Sequence, residues 1–160
     1  MPENLETRII HVLAARKQTL ATAESCTGGY IAHLLTNAPG ASEVFSSGIV
    51  SYSNRAKEEF LGVSSETLAR NGAVSEPVAR EMAEGARRAC RTDYAVSATG
   101  IAGPSGGTAE MPVGTVFIGI ASPLQTLVMR QFNPGERLAF KETTARQALE
   151  QLLAMIERNA

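Results

Sequence analysis

Apolar residues recur at Leu5, Ile9, Val12 and Leu13. That spacing predicts an amphipathic helix over about residues 3 to 16. A short apolar run predicts a strand over about 19 to 24, and the helical pattern from Tyr30 to Leu35 predicts a helix over about 28 to 37, stopped before Pro39-Gly40. The β-prone core Gly48-Ile49-Val50-Ser51-Tyr52 marks a second strand within about 45 to 53. Asn54 reads as the N-cap of a short helix that runs through Leu61 and ends at Gly62. Another short helix covers about 64 to 70 and closes at Asn71-Gly72. Ser75 reads as the cap of the next, with Glu76 and Pro77 in a first turn that tolerates Pro and favours acid, and that helix runs to about Cys90. A strand follows over about 94 to 98, then a Gly/Pro-rich loop over about 100 to 112. Two strands, about 113 to 121 and 127 to 132, form a hairpin through Ser122-Pro123, and a last helix covers about 136 to 158. Helices alternate with strands before the hairpin appears. The expected fold is therefore α/β: three α/β/α layers, with a mixed sheet covered by helices on both faces.

Composition narrows the class. A chain of 160 residues is expected to form a single domain, 1–160, large enough for a proper core. The net charge of −1 and pI of about 6.1 argue against a nucleic-acid partner, which calls for clustered Lys and Arg. Aromatic residues make up 5% and Trp is absent, so a base-stacking platform is not expected either. No apolar run approaches the ~20 residues of a membrane span, so no membrane partner is expected. The first residues, Met1-Pro2-Glu3-Asn4-Leu5-Glu6, lack the basic-then-apolar order of a signal peptide. The two cysteines, Cys26 and Cys90, have neither metal-ligand nor CxxC spacing. The expectation is a cytoplasmic protein without a metal site.

Chemistry concentrates at Ala23-Glu24-Ser25-Cys26-Thr27-Gly28-Gly29. A hydroxyl residue sits there between a predicted strand and a predicted helix. The two glycines permit a tight turn and close approach of a ligand. The first N–H groups of the helix are expected to be free for an anion or a developing oxyanion. This suits nucleophilic catalysis, phosphate binding or both, and an ordinary capped junction is the plain alternative. Cys26 rivals Ser25, because a helix N-terminus lowers thiol pKa, and the residues alone do not order the two.

Three other segments bear on function. Tyr52 ends a strand and Lys57 lies one turn into the next helix, within reach of one cleft. A lysine with a depressed pKa can serve a serine as base, and a tyrosine can relay the proton or orient the amine. The plain alternative is a solvated lysine beside Glu58 and Glu59 and a core tyrosine. Thr99-Gly100-Ile101-Ala102-Gly103-Pro104 opens a glycine-rich loop suited to cradling phosphate or carboxamide, with neither a Walker A ending nor a GxGxxG pattern. Arg137, just after Asn133-Pro134-Gly135, is placed to clamp a phosphate; Arg146 reads as a solvated helix residue. His11 and His33 sit on helical stretches away from these segments.

Taken together, Ala23 to Gly29, Tyr52-Ser53-Asn54 with Lys57, Asn71-Gly72-Ala73-Val74-Ser75-Glu76, Thr99 to Pro104 and Pro112-Val113-Gly114-Thr115-Val116 resemble the CinA C-terminal domain family. These are the nicotinamide-nucleotide amidohydrolases, also called NMN deamidases. The resemblance covers about residues 5 to 155 in unbroken motif order and is to the short, stand-alone form. It implies hydrolysis of the carboxamide of nicotinamide mononucleotide, a small-molecule substrate, to the nicotinate nucleotide and ammonia, without metal or other cofactor. By resemblance Ser25 is the nucleophile, and Tyr52 and Lys57 complete the catalytic set. Thr27, Gly28, Gly29, Thr99, Gly100, Gly103 and Arg137 then bind substrate, with the division between oxyanion and phosphate left open. A homo-oligomer is implied as well. The non-enzymatic alternative is a nucleotide-binding or protein-interaction module, suggested by the competence association in the family's name. Two positions depart from the family pattern: Met111 stands where Lys is usual, and Lys141 where a second Arg is usual. A lysine lacks the bidentate fork, so a phosphate grip there is looser.

Overall fold

Local signals set the elements in the computed structural model, which describes residues 2–160. Helix α1 (Leu5–Arg16) starts where the Asn4 side chain accepts the Thr7 N–H, and stops at Lys17 in the left-handed region. Strand β1 (Leu20–Glu24) is buried throughout. Gly28 and Gly29 both take positive φ, so helix α2 (Tyr30–Thr36) starts later than the expected residue 28. A single 3-10 turn (Ala41–Glu43), which the sequence pattern did not reveal, leads into β2 (Phe45–Val50). The N-cap of α3 (Asn54–Leu61) is Ser53, not Asn54: the Ser53 hydroxyl accepts the Ala56 N–H. The strand before it is correspondingly shorter than expected. Helix α4 (Ser65–Asn71) is capped by Ser64, and α5 (Glu76–Cys90) by Ser75. Strands β3 (Tyr94–Gly100), β4 (Thr115–Ala121) and β5 (Thr126–Phe132) precede α6 (Arg137–Arg158). Strand β4 begins two residues later than expected, because Gly114 turns the chain at φ 104°.

The strand order is β2-β1-β3-β4-β5. Strands β1, β2 and β3 run parallel, and β4 and β5 are antiparallel additions. Helices α1, α2 and α6 cover one face around Ile10, Leu35, Phe140, Leu149 and Leu152. Helix α5, with α3 and α4, covers the other around Ala21, Leu61, Val78, Met82 and Ala95. The three-layer mixed sheet is thus the fold the alternation of elements leads one to expect.

Register places the strand ends side by side. Glu24 pairs with Val50 on one side and with Ala98 on the other. Bonds from the Ser25 N–H to the Ala98 carbonyl and from the Ser51 N–H to the Glu24 carbonyl carry both ladders one residue further. After β1 the chain turns toward β2, and after β3 it leaves toward β4. The crevice between these diverging chains is the usual ligand site of an open α/β sheet. Two glycines allow close layer contact: a Cβ on Gly119 would lie 2.7 Å from the Ala79 carbonyl oxygen, and one on Gly85 would lie 1.8 Å from that of Leu61. The second holds α3 tight against α5.

Candidate active site

Lys57 reaches this crevice from the first turn of α3. The helix is fixed at both ends, by the Ser53 cap and by Gly62 in the left-handed region, with the Val63 N–H bonded to the Lys57 carbonyl. The Lys57 side chain is 1% exposed. Its Nζ donates to Ser25 Oγ at 2.8 Å and to the Ser51 carbonyl at 2.7 Å. Burial pulls its pKa from 10.5 down to about 8. No cation contributes to that shift; Arg55, two residues away, is exposed and faces Glu59. The solvated-lysine alternative is thereby set aside.

Ser25 is 9% exposed and opens onto a cleft of about 300 Å³. Cys26 lines the same cleft, but burial drives its thiol up to about 12. A thiol held protonated makes a poor nucleophile at neutral pH, and it is Ser25, not Cys26, that the Lys57 amine bonds.

Tyr52, Thr99, Gly100, Gly103 and Arg137 also line the cleft. Tyr52 is 62% exposed, so it is not a core residue. Its hydroxyl accepts from Arg137 Nη1 at 3.3 Å and bonds to neither Ser25 nor Lys57. Arg137 Nη2 donates to the Gly103 carbonyl at 2.5 Å, so one guanidinium joins the glycine-rich loop to the end of β2 across the mouth. Thr99 Oγ1 donates to the Ala73 carbonyl at 2.8 Å and ties the segment before α5 to the cleft wall. Gly103 has φ 81°, and a Cβ there would strike Val113 at 2.4 Å. Only glycine fits that corner.

Thr27, Gly28 and Gly29 do not line the cleft; they form the turn behind Ser25. The Gly28 N–H is bonded to the Ser25 carbonyl. The N–H groups of Ile31 and Ala32, expected to be free for a ligand, are taken by the carboxylate of Glu24. A built-in anion thus fills the start of α2. Lys141 stands near this turn: a Cβ on Gly28 would meet its amine at 3.5 Å. Among the described residues, neither Arg137 nor Lys141 pairs with a carboxylate. His11 and His33 are exposed and lie outside the cleft. No cluster of His, Cys, Asp and Glu among the described residues suits a metal ion.

Reading the residues one at a time missed Ala73, Val74 and Ser105, which line the cleft, and the Ser51 carbonyl, which orients Lys57. The motif Asn71 to Glu76 was the available signal for the first two. A backbone carbonyl leaves none.

A CinA-like protein of Anaeromyxobacter sp. (strain Fw109-5) is 50% identical over 150 residues, which are 94% of this chain and 37% of that protein. A CinA-like protein of Thermotoga maritima is 49% identical over 150 residues, 94% of this chain and 36% of that protein. The chain thus spans little more than a third of the length of these curated relatives. Among solved structures, the competence/damage inducible protein CihA of Agrobacterium tumefaciens is 43% identical with a TM-score of 0.92, covering 94% of this chain and 92% of that one. A CinA superfamily protein of Escherichia coli is 37% identical with a TM-score of 0.91, covering 96% and 89%. The model of the CinA C-terminal domain matches residues 2–156, and the chain belongs to that family.

Proposed function

We infer that this domain hydrolyses the carboxamide of nicotinamide mononucleotide through an acyl-enzyme on Ser25. The observation that carries the reading is the bond between Ser25 Oγ and the buried Lys57 amine. With a pKa of about 8, roughly a tenth of Lys57 is neutral at pH 7. Neutral Nζ takes the Ser25 proton as Oγ attacks the carboxamide carbon, while the Ser51 carbonyl keeps the amine aimed. The oxyanion falls to the backbone N–H groups of the turn that follows Ser25, of whose residues 26 to 29 Cys26 lines the cleft while the Gly28 amide is already bonded to the Ser25 carbonyl. Protonated Lys57 then gives its proton to the leaving nitrogen, and ammonia departs. Water, deprotonated by the same amine, cleaves the ester and releases the carboxylate. No step needs a metal.

The loop from Thr99 to Gly103 and Arg137 hold the ribose phosphate. Tyr52 serves the reaction through Arg137 in this resting geometry and approaches the catalytic pair only if that contact opens. A non-catalytic nucleotide-binding or protein-interaction module, in keeping with the competence names of the relatives, has no use for a desolvated lysine on a serine. Ammonia release from nicotinamide mononucleotide is the test. Ser25→Ala is expected to abolish it with the fold intact, and Cys26→Ser to keep substantial activity. A dead Cys26→Ser beside an active Ser25→Ala would invert the assignment.

A further inference from the structure

Glu24 is 1% exposed and precedes the nucleophile. Its two carboxylate oxygens accept separately, Oε1 from the Ile31 N–H at 2.8 Å and Oε2 from the Ala32 N–H at 3.0 Å. No Lys or Arg among the described residues forms a salt bridge with it. Its charge is therefore balanced by the first N–H groups of α2, which have no partner inside the helix. Ser25 continues the β1 ladder through its bond to Ala98, so side chains 24 and 25 point to opposite faces of the sheet. One reaches α2; the other meets Lys57.

This geometry closes a ring. The backbone runs from Glu24 through the Ser25–Gly29 turn to Ile31 and Ala32, and the carboxylate returns to the start. Every part of the proposed nucleophile and oxyanion machinery on this segment lies inside that ring. The glycines supply the turn but are themselves the most permissive residues of the chain.

We propose that Glu24 is a positioning residue that clamps the Ser25–Gly29 turn, so that the serine hydroxyl and the oxyanion-binding amides keep one fixed relation. A misplacement of about 1 Å at such a site can cost about 100-fold in rate. The carboxylate also keeps the start of α2 closed to substrate anions, leaving the Arg137 side of the cleft for the phosphate. The inference rests on the amidohydrolase reading for its substrate, and on geometry alone for the state of Ser25.

The test compares wild type with Glu24→Gln, which keeps the shape but turns an NH2 toward one of the two amides. Three quantities are read: steady-state kinetics on nicotinamide mononucleotide, affinity for pyridine-3-boronic acid as a tetrahedral adduct of serine, and the rate at which a fluorophosphonate labels Ser25, followed by intact mass. Glu24→Gln is expected to lower kcat by about 10- to 100-fold with KM changed less than about twofold. Boronate affinity and labelling rate fall with kcat. A purely structural role would lower kcat only with the folded fraction and leave the ratio of boronate to substrate affinity unchanged, and that result overturns the proposal. So does native labelling in a folded Glu24→Gln. If Glu24→Gln does not fold, the α-hydroxy acid counterpart of Ala32 removes only the N–H that Oε2 accepts. It is expected to slow labelling by about 3- to 10-fold, and no slowing overturns the proposal. Wild-type protein that labels at Ser25 but releases no ammonia sinks the substrate reading and leaves the Glu24 test standing.

Discussion

A lysine amine with 1% exposure is an unfavourable thing to fold around, a cost that the proposed mechanism accounts for at Lys57. Its folded pKa of about 8 lies below the ordinary 10.5. Between those values the unfolded chain binds more protons than the folded one, so stability rises with pH across the window. Below about pH 8 both states are protonated and the whole cost is present. It is on the order of 3 kcal/mol. Urea unfolding at pH 8 and pH 10 should show wild type gaining stability relative to Lys57→Met, which has nothing to titrate there. The same titration sets activity: kcat/KM should climb along a limb with its midpoint near pH 8, as the amine becomes neutral. Lys57→Arg should be nearly inactive despite keeping the charge, because guanidinium cannot accept the proton. Near-native turnover in Lys57→Arg would mean the residue supplies charge and not a base. The sequence placed Ser25, Tyr52 and Lys57 at one cleft, and all three line it. It did not reveal that Tyr52 bonds Arg137, or that Glu24 fills the start of α2, because a side chain's partner depends on packing that spacing does not encode.

At the scale of elements, the lysine is only as well placed as α3. That helix has 8 residues, too few to be stable alone, and it leans on α5 at Gly85. A methyl group at position 85 would sit 1.8 Å from the Leu61 carbonyl oxygen, so the helices must separate. Gly85→Ala, which raises intrinsic helix propensity, is nevertheless expected to destabilise by roughly 1–3 kcal/mol through overpacking. It should also lower kcat, because Nζ is drawn away from Ser25. Thermal melts and ammonia release check the two effects, and a variant as stable and active as wild type would show that α3 is not held by this contact. The order and type of the helices and strands were legible from periodicity, including the switch to a hairpin after residue 112. Their ends were less so. Ser53 and Asn54 are both good caps, and only the bond to Ala56 decides between them. Ala41–Glu43 is too short for any period to show.

For the whole molecule, the cleft is walled by segments that leave the sheet in opposite directions, and much of it faces solvent beside Tyr52. Val50, Tyr52 and Leu138 are exposed, and each is at, or next in sequence to, a residue of the cleft or of the end of β2. A second copy seated there would enclose the cleft, in line with the homo-oligomer that the family resemblance implies. Light scattering at micromolar concentration should report more than one chain per particle, and a strict monomer would count against it. No helix among the described residues is long and apolar enough to cross a membrane.

Helix α6 joins two jobs that are far apart in the order of synthesis. Its first residue, Arg137, bridges the mouth of a cleft whose serine and lysine are complete by residue 57. Its buried side, from Phe140 to Ile156, covers the sheet face that α1 and α2 leave open. A growing chain therefore has its Ser25–Lys57 pair long before it has a dry sheet or the Arg137 bridge. The central strand stays wet on one side until the last helix docks, so a bridged cleft mouth and a finished core arrive in a single late event.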